Sequence, residues 1–125
     1  MIFVFDTDVL IDILRGKNET VLQVEEWSYK ADVLACSTIT IAEIFTGMRK
    51  DEEKKTRELL DSLTKLPLTE EVAEIGGLLK SMTKSHQLHL DDCLIAATAL
   101  GSNATLFTKN VKHYPFKGLK IHAIR

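Results

Sequence analysis

The sequence predicts an α/β fold, a parallel sheet with helices on both faces. Three observations point to it: short apolar runs that do not alternate, stretches of helical spacing between them, and a length of 125 residues, enough to enclose one core. An unbroken apolar run is what a strand buried on both faces requires. Strand–helix alternation then favours parallel pairing through right-handed crossovers. We read residues 1–125 as one domain, without linker, repeat or low-complexity segment.

Ile2 to Phe5 is the first such run. Asp6-Thr7-Asp8 offers capping side chains for a helix carrying Val9, Leu10, Ile13 and Leu14, with Gly16 as its stop. Glu19 to Tyr29 has helical spacing at Val21, Leu22, Val24 and Trp27, and Val33 to Cys36 is a second buried strand. Thr38 to Met48 reads as a helix, and Lys50 to Leu63 as a charged surface helix with Leu59, Leu60 and Leu63 on its inner side. Leu66-Pro67-Leu68 is a brief strand that its proline sends to an edge. A helix from Thr69 to about Ser85 and another from Asp91 to Leu100 follow. Strands over Ala104 to Thr108 and Leu119 to Ala123 complete the chain.

Composition narrows the function classes. An apolar fraction of 45% and a charged fraction of 27% belong to a globular protein rather than a disordered or fibrous one. No stretch reaches the roughly 20 apolar residues that span a bilayer. The opening apolar run is cut short by Asp6 and lacks a basic lead, so we expect neither signal peptide nor anchor, and a cytoplasmic location. Cys36 and Cys93 lack metal-site spacing and read as buried thiols. The net charge is −2, yet no acid follows Asp92, while Lys109, Lys112, Lys117, Lys120 and Arg125 do. That basic end suits either an ordinary solvated surface or a rim facing a polyanion.

The chemistry lies in the acids. In open parallel sheets the ligand site lies beyond the carboxyl ends of the strands, and Asp6 ends the first strand. Alone, Asp6 suits an N-cap as well as a catalytic group, and Asp8 shares that ambiguity; Asp12, one turn deeper, reads as solvated. Glu43 stands among Ile39, Thr40, Thr46 and Gly47, so it must pair, reach the surface (Arg49 is a candidate partner) or bind a cation. Asp91 and Asp92 open an apolar helix about 100° apart around its axis. Asp92 shares a face with Ile95, Ala96 and Ala99, which makes it the inward group and leaves Asp91 as the cap. Acids converging without a nearby cationic side chain repel one another, and a hard divalent ion relieves that repulsion. Oxygen ligands suit magnesium or manganese rather than zinc.

These residues resemble a known family. Val4-Phe5-Asp6-Thr7-Asp8-Val9-Leu10-Ile11-Asp12 is similar to the opening motif of PIN domains, Ile39-Thr40-Ile41-Ala42-Glu43 to their second, and Asp92 to Leu100 to their third. Leu106 to Tyr114 resembles the segment that closes their site, and the ordered set covers nearly the whole chain. The resemblance, closest to VapC-type toxins of toxin–antitoxin pairs, implies a three-layer α/β/α sandwich with a parallel sheet of about five strands. It implies Mg2+- or Mn2+-dependent endonucleolytic cleavage of RNA, with Asp6, Glu43 and Asp92 as metal-binding catalytic acids and Asp8 as a further candidate ligand. Thr7, Thr40, Thr108 and Asn110 would support them, and Arg15, Arg49, Lys109 and Lys112 are candidate RNA contacts. The sequence departs from many relatives in lacking a fourth acid near Asn110 or His113, which leaves the number of metals open. Implied partners are a second copy of the chain, no membrane, and a small antitoxin for which Trp27, Tyr29, Ile44, Phe45 and Met48 are candidate contacts.

Two other readings stay open at this stage. An apolar strand followed by Asp-x-Asp also opens haloacid-dehalogenase-type phosphatases, with Asp6 as nucleophile and Asp8 as acid/base, although no matching closing motif follows. A catalytically inactive PIN scaffold would retain the fold without the metal.

Overall fold

In the computed structural model, which describes residues 1–84 and 88–125, the expected alternation takes shape. The chain runs β1 (Ile2–Phe5), α1 (Thr7–Leu14), α2 (Asn18–Ser28), β2 (Val33–Ser37), α3 (Thr38–Gly47), α4 (Glu53–Asp61), β3 (Thr64–Leu66), α5 (Glu70–Met82), α6 (Leu90–Gly101), β4 (Thr105–Thr108) and β5 (Lys120–Ala123). Short 3-10 turns occupy Lys50–Glu52 and Val111–His113. The strands form a five-stranded sheet in the order β3-β2-β1-β4-β5, every neighbouring pair parallel. The chain winds outward from β1 through β2 to β3 and returns to lay β4 on the other side of β1. The order therefore reverses between β1 and β4, where such sheets leave a crevice at their carboxyl ends.

Side-chain alternation along the strands divides the interior into two cores. Val4, Ala35 and Leu106 face Leu79, Ile95, Ala96 and Ala99 of α5 and α6. Phe3, Phe5, Cys36 and Phe107 face Val9, Leu10, Leu60 and Leu63 on the opposite side. Phe107 anchors that second core, its ring tilted at 4.5 Å from Phe3 and edge-on at 5.5 Å to Phe5. Removing side chains of this size from water stabilises the fold by roughly 2–3 kcal/mol each. The three-layer arrangement follows from residues that alternate inside runs that look uniformly apolar.

Several boundaries moved for identifiable reasons. β3 covers Thr64–Leu66 and stops before Pro67, whose missing amide cannot join a ladder; it does lie at the sheet edge, as its proline required. The charged helix begins only at Glu53, because Glu52 folds back to accept from the Arg49 amide at 2.9 Å and closes a separate turn first. The fifth helix is capped by Thr69, whose hydroxyl accepts from the Val72 amide, and ends at Met82; Ser85, where we expected its end, lies outside the described residues. Cys36 and Cys93 are buried free thiols, as expected. Among the described residues no helix is long and apolar enough to cross a membrane.

Candidate metal and active site

Beyond the carboxyl ends of β1 and β4 lies a cavity of about 310 Å3. Asp6, Asp8, Glu43, Asp91 and Asp92 all line it, with Asn110 and His113 at the rim and neither lysine nor arginine among its lining residues. Each acid arrives by a local rule. Asp6 ends β1 in extended backbone (φ −66°, ψ 156°) and caps α1, accepting from the Thr7 amide at 2.8 Å. Glu43 stands in the middle of α3, which Ser37 caps by accepting from the Ile39 amide at 3.1 Å. Asp91 and Asp92 belong to the first turn of α6, where the helix dipole favours negative charge.

Threonines hold the carboxylates apart. Thr108, fully buried at the end of β4, donates to Asp6 Oδ2 at 2.7 Å. Thr7 donates to Glu43 Oε1 at 2.6 Å, and its hydroxyl lies 3.1 Å from that of buried Thr40. Asp8 Oδ2 accepts from Asn110 Nδ2 at 2.8 Å and from the Lys109 amide at 3.2 Å. Asp8 Oδ1 is buried and has no hydrogen-bond partner among the described residues. Tyr114 brings its buried hydroxyl toward Asp6 without a hydrogen bond of normal geometry. His113 Nδ1 stands 3.8 Å from Asp92 Oδ2.

The electrostatics follow from this crowding. Burial raises the Asp6 carboxyl above its usual range, against hydrogen bonding from Thr108. Asp8 is pushed up to about 6 by burial and by the charge of Asp6. Glu43 rises to about 7 through burial, with Asp91 and Asp6 adding to it and the Thr7 hydroxyl opposing. Asp92 is raised by burial and by its neighbour Asp91. Burial and the charges of Asp6 and Asp92 also raise the Tyr114 phenol. Acids that resist ionisation together in one cavity make it the candidate functional site.

The donor set fits a hard divalent cation. Its five carboxylates offer oxygen ligands and excess negative charge, and they include a buried oxygen of Asp8 without a hydrogen-bond partner among the described residues. Among the described residues no group of three His, Cys, Asp or Glu side chains is already drawn together around one ion position. The acids ring the cavity, with Asp6, Asp8 and Glu43 each turned to a threonine or an amide.

Most of the expected site residues meet here: Asp6, Glu43, Asp92, Asp8, Thr7, Thr40, Thr108 and Asn110. Glu43 turns to Thr7 and not to Arg49. Two expectations were wrong. Asp91 is not the cap of α6: the helix starts one residue earlier, His89 takes the capping position without a side-chain bond, and Asp91 lines the cavity beside Asp92. Asp12 is not solvated but 5% exposed, because Lys109 Nζ (2.6 Å), Thr20 Oγ1 (2.8 Å) and Lys17 Nζ (3.5 Å) enclose it. Of the basic residues expected at RNA, Lys109 therefore spends its ammonium on Asp12, Arg15 faces Glu52 at 3.7 Å, and Arg49 and Lys112 are exposed. Among the apolar residues offered as partner contacts, Ile44 belongs to the core and Tyr29 is 77% exposed. Tyr114 was missed; an aromatic residue carries no chemical signal until the fold places it beside an acid.

The fold and this cavity define a PIN domain, and a PIN-domain family model matches residues 3–117. The chain belongs to that family. It is 40% identical over 121 residues to Ribonuclease VapC10 of Mycobacterium tuberculosis (strain H37Rv), covering 92% of this chain and 88% of that one. It is 32% identical over 112 residues to Ribonuclease VapC19 of the same strain, covering 88% and 90%. Among solved structures, a toxin–antitoxin complex from Klebsiella pneumoniae superposes with a TM-score of 0.82 at 28% identity, covering 98% and 97%. VapBC2 of Rickettsia felis, bound to a promoter DNA fragment, shares the fold with a TM-score of 0.85 at 23% identity over the full length of both chains. Family membership displaces the phosphatase reading.

Proposed function

We propose that this chain is a ribonuclease that cleaves RNA phosphodiester bonds endonucleolytically with Mg2+ or Mn2+, acting as the toxin of a toxin–antitoxin pair. The observation that carries this reading is the ring of five carboxylates at the sheet's carboxyl end, with neither lysine nor arginine among the described lining residues. The names of the relatives, ribonucleases of the VapC type, agree with it. Asp6, Glu43 and Asp92 would hold the ion. Once bound, such an ion supplies Lewis acidity to a phosphate and lowers the pKa of a nearby water.

The chain's own residues do the rest. Thr108 and Thr7 fix the rotamers of Asp6 and Glu43, the outer support that liganding carboxylates need. His113, at the cavity rim, would donate to phosphate oxygens, while Asn110, whose side-chain amide donates to Asp8, would support that acid. Arg49 and Lys112, with Arg15 beside Glu52, offer positive charge to the RNA backbone. A recessed cavity favours single-stranded or looped RNA, whose phosphates can be turned inward. The partners we propose are a second copy of the chain and a small antitoxin that covers the acidic cavity, in keeping with the toxin–antitoxin complex among the structural neighbours.

The test is cleavage of a mixed-structure RNA with magnesium, with manganese and with chelator, beside Asp6→Asn, Glu43→Gln and Asp92→Asn. Each variant should lose activity by about a hundredfold or more while staying folded. A folded protein inert with both metals would instead make this an inactive PIN scaffold.

A further inference from the structure

The segment after β4 is tied to the site by a chain of contacts that ends on a residue outside the cavity. Thr108 donates to Asp6, and its hydroxyl in turn accepts from the Asn110 amide at 3.0 Å. Asn110 Nδ2 and the Lys109 amide both donate to the same oxygen of Asp8. Lys109 then turns its ammonium to Asp12, one helical turn beyond Asp8 on the same face of α1. A single residue thus bridges both acids, through its backbone to Asp8 and through its side chain to Asp12. Thr20 of α2 donates to the same Asp12 oxygen at 2.8 Å, so α1, α2 and the post-β4 segment are pinned together at one carboxylate.

The consequence falls on Asp8. With Oδ2 held by two donors from the pinned segment, Oδ1 is left buried, unpartnered and at the cavity. We infer that Asp12 is a positioning residue for the metal site: its ion pair with Lys109 fixes the segment at residues 109–110, which aims the free oxygen of Asp8 at the ion. This rests on the reading of the cavity as a divalent-metal site. It also gives a reason for a charged pair with a nearly inaccessible carboxylate, which is by itself a poor source of stability.

The test combines manganese affinity, by calorimetry on the intact chain, with the NMR signal of the Asn110 side-chain amide, which reports the bond to Asp8 with or without metal. Asp12→Asn should weaken manganese binding about tenfold and move the Asn110 amide toward its solvent-exposed position. If Asp12→Asn fails to fold, Lys109→Gln carries the same expectation from the more exposed end of the pair, and Lys109→Arg should restore the wild-type values. In combination with Asp8→Asn, either variant should cost nothing further, because its effect runs through Asp8. Additive losses, or an unmoved Asn110 signal in a folded variant, would reduce the pair to a structural brace. A wild-type protein that binds no manganese would defeat the metal-site reading, while the Asn110 signal would still decide whether Asp12 positions Asp8.

Discussion

Asp6 shows how one side chain serves fold and site together: one oxygen caps α1 while the other accepts from Thr108, and both lie at the cavity. Thr108→Val keeps the shape and removes the donor, so manganese affinity should fall about tenfold with little change in melting temperature. The raised acids also set a pH dependence in the metal-free protein. Glu43, near 7 against an ordinary 4.5, and Asp8, near 6 against 3.8, bind protons more tightly folded than unfolded. Their ionisation therefore costs stability, fully above about pH 7, and that cost fades as the pH falls toward their ordinary values. His122, lowered by burial against Trp27 and Phe107, works the other way below 6.5. The clean measurement is the difference between wild type and Glu43→Gln in chelator: the variant should be the more stable at pH 8, and the gap should close near pH 4.5. At this scale the sequence was legible where chemistry shows in residue type, as with Asp6, Glu43 and Asp92. It was silent where a contact decides: Asp12 and Lys109 are 97 residues apart, and nothing local announces their pairing.

Among the elements, α5 and α6 make the closest helix contact, and two adjacent glycines in α5 do opposite things. A Cβ on Gly76 would come within 2.6 Å of the Leu94 side chain and 3.3 Å of its Cα, whereas one on Gly77 would meet nothing within 4 Å. Gly76→Ala should therefore destabilise the protein by about 1–3 kcal/mol in urea unfolding. Gly77→Ala should stabilise it by about 0.5–1 kcal/mol, since only helix propensity changes. Because α6 carries Asp91 and Asp92, Gly76→Ala should also weaken metal binding, and Gly77→Ala should not. Element type and order could be read from the spacing of apolar residues. The ends were harder, because they depend on which side chain captures a free amide: Thr69 captured Val72 at α5, whereas at α6 no side chain did and His89 merely occupied the place. With the helix starting at Leu90, Asp91, a good cap by type, falls inside the first turn and lines the cavity.

For the whole molecule, the reversal of strand order between β1 and β4 brings acids from residues 6 to 92 into one cavity. No single segment could assemble it, which is why the sequence suggested the cluster only when its weak signals were taken together. The basic residues lie outside this cavity, so RNA affinity and metal affinity should separate. A charge-removing pair, Arg49→Ala with Lys112→Ala, should weaken RNA binding and flatten its salt dependence, leaving manganese affinity unchanged.

The carboxylate ring is proposed to receive a divalent cation. The most direct test is calorimetric titration of manganese into the metal-free protein at pH 6.5 in buffers of different ionisation enthalpy. With Glu43 near 7 and Asp8 near 6, binding should release protons, a release that disappears by pH 8.5 and is reduced in Glu43→Gln. Binding with no proton release, or no binding by a folded protein, would contradict it.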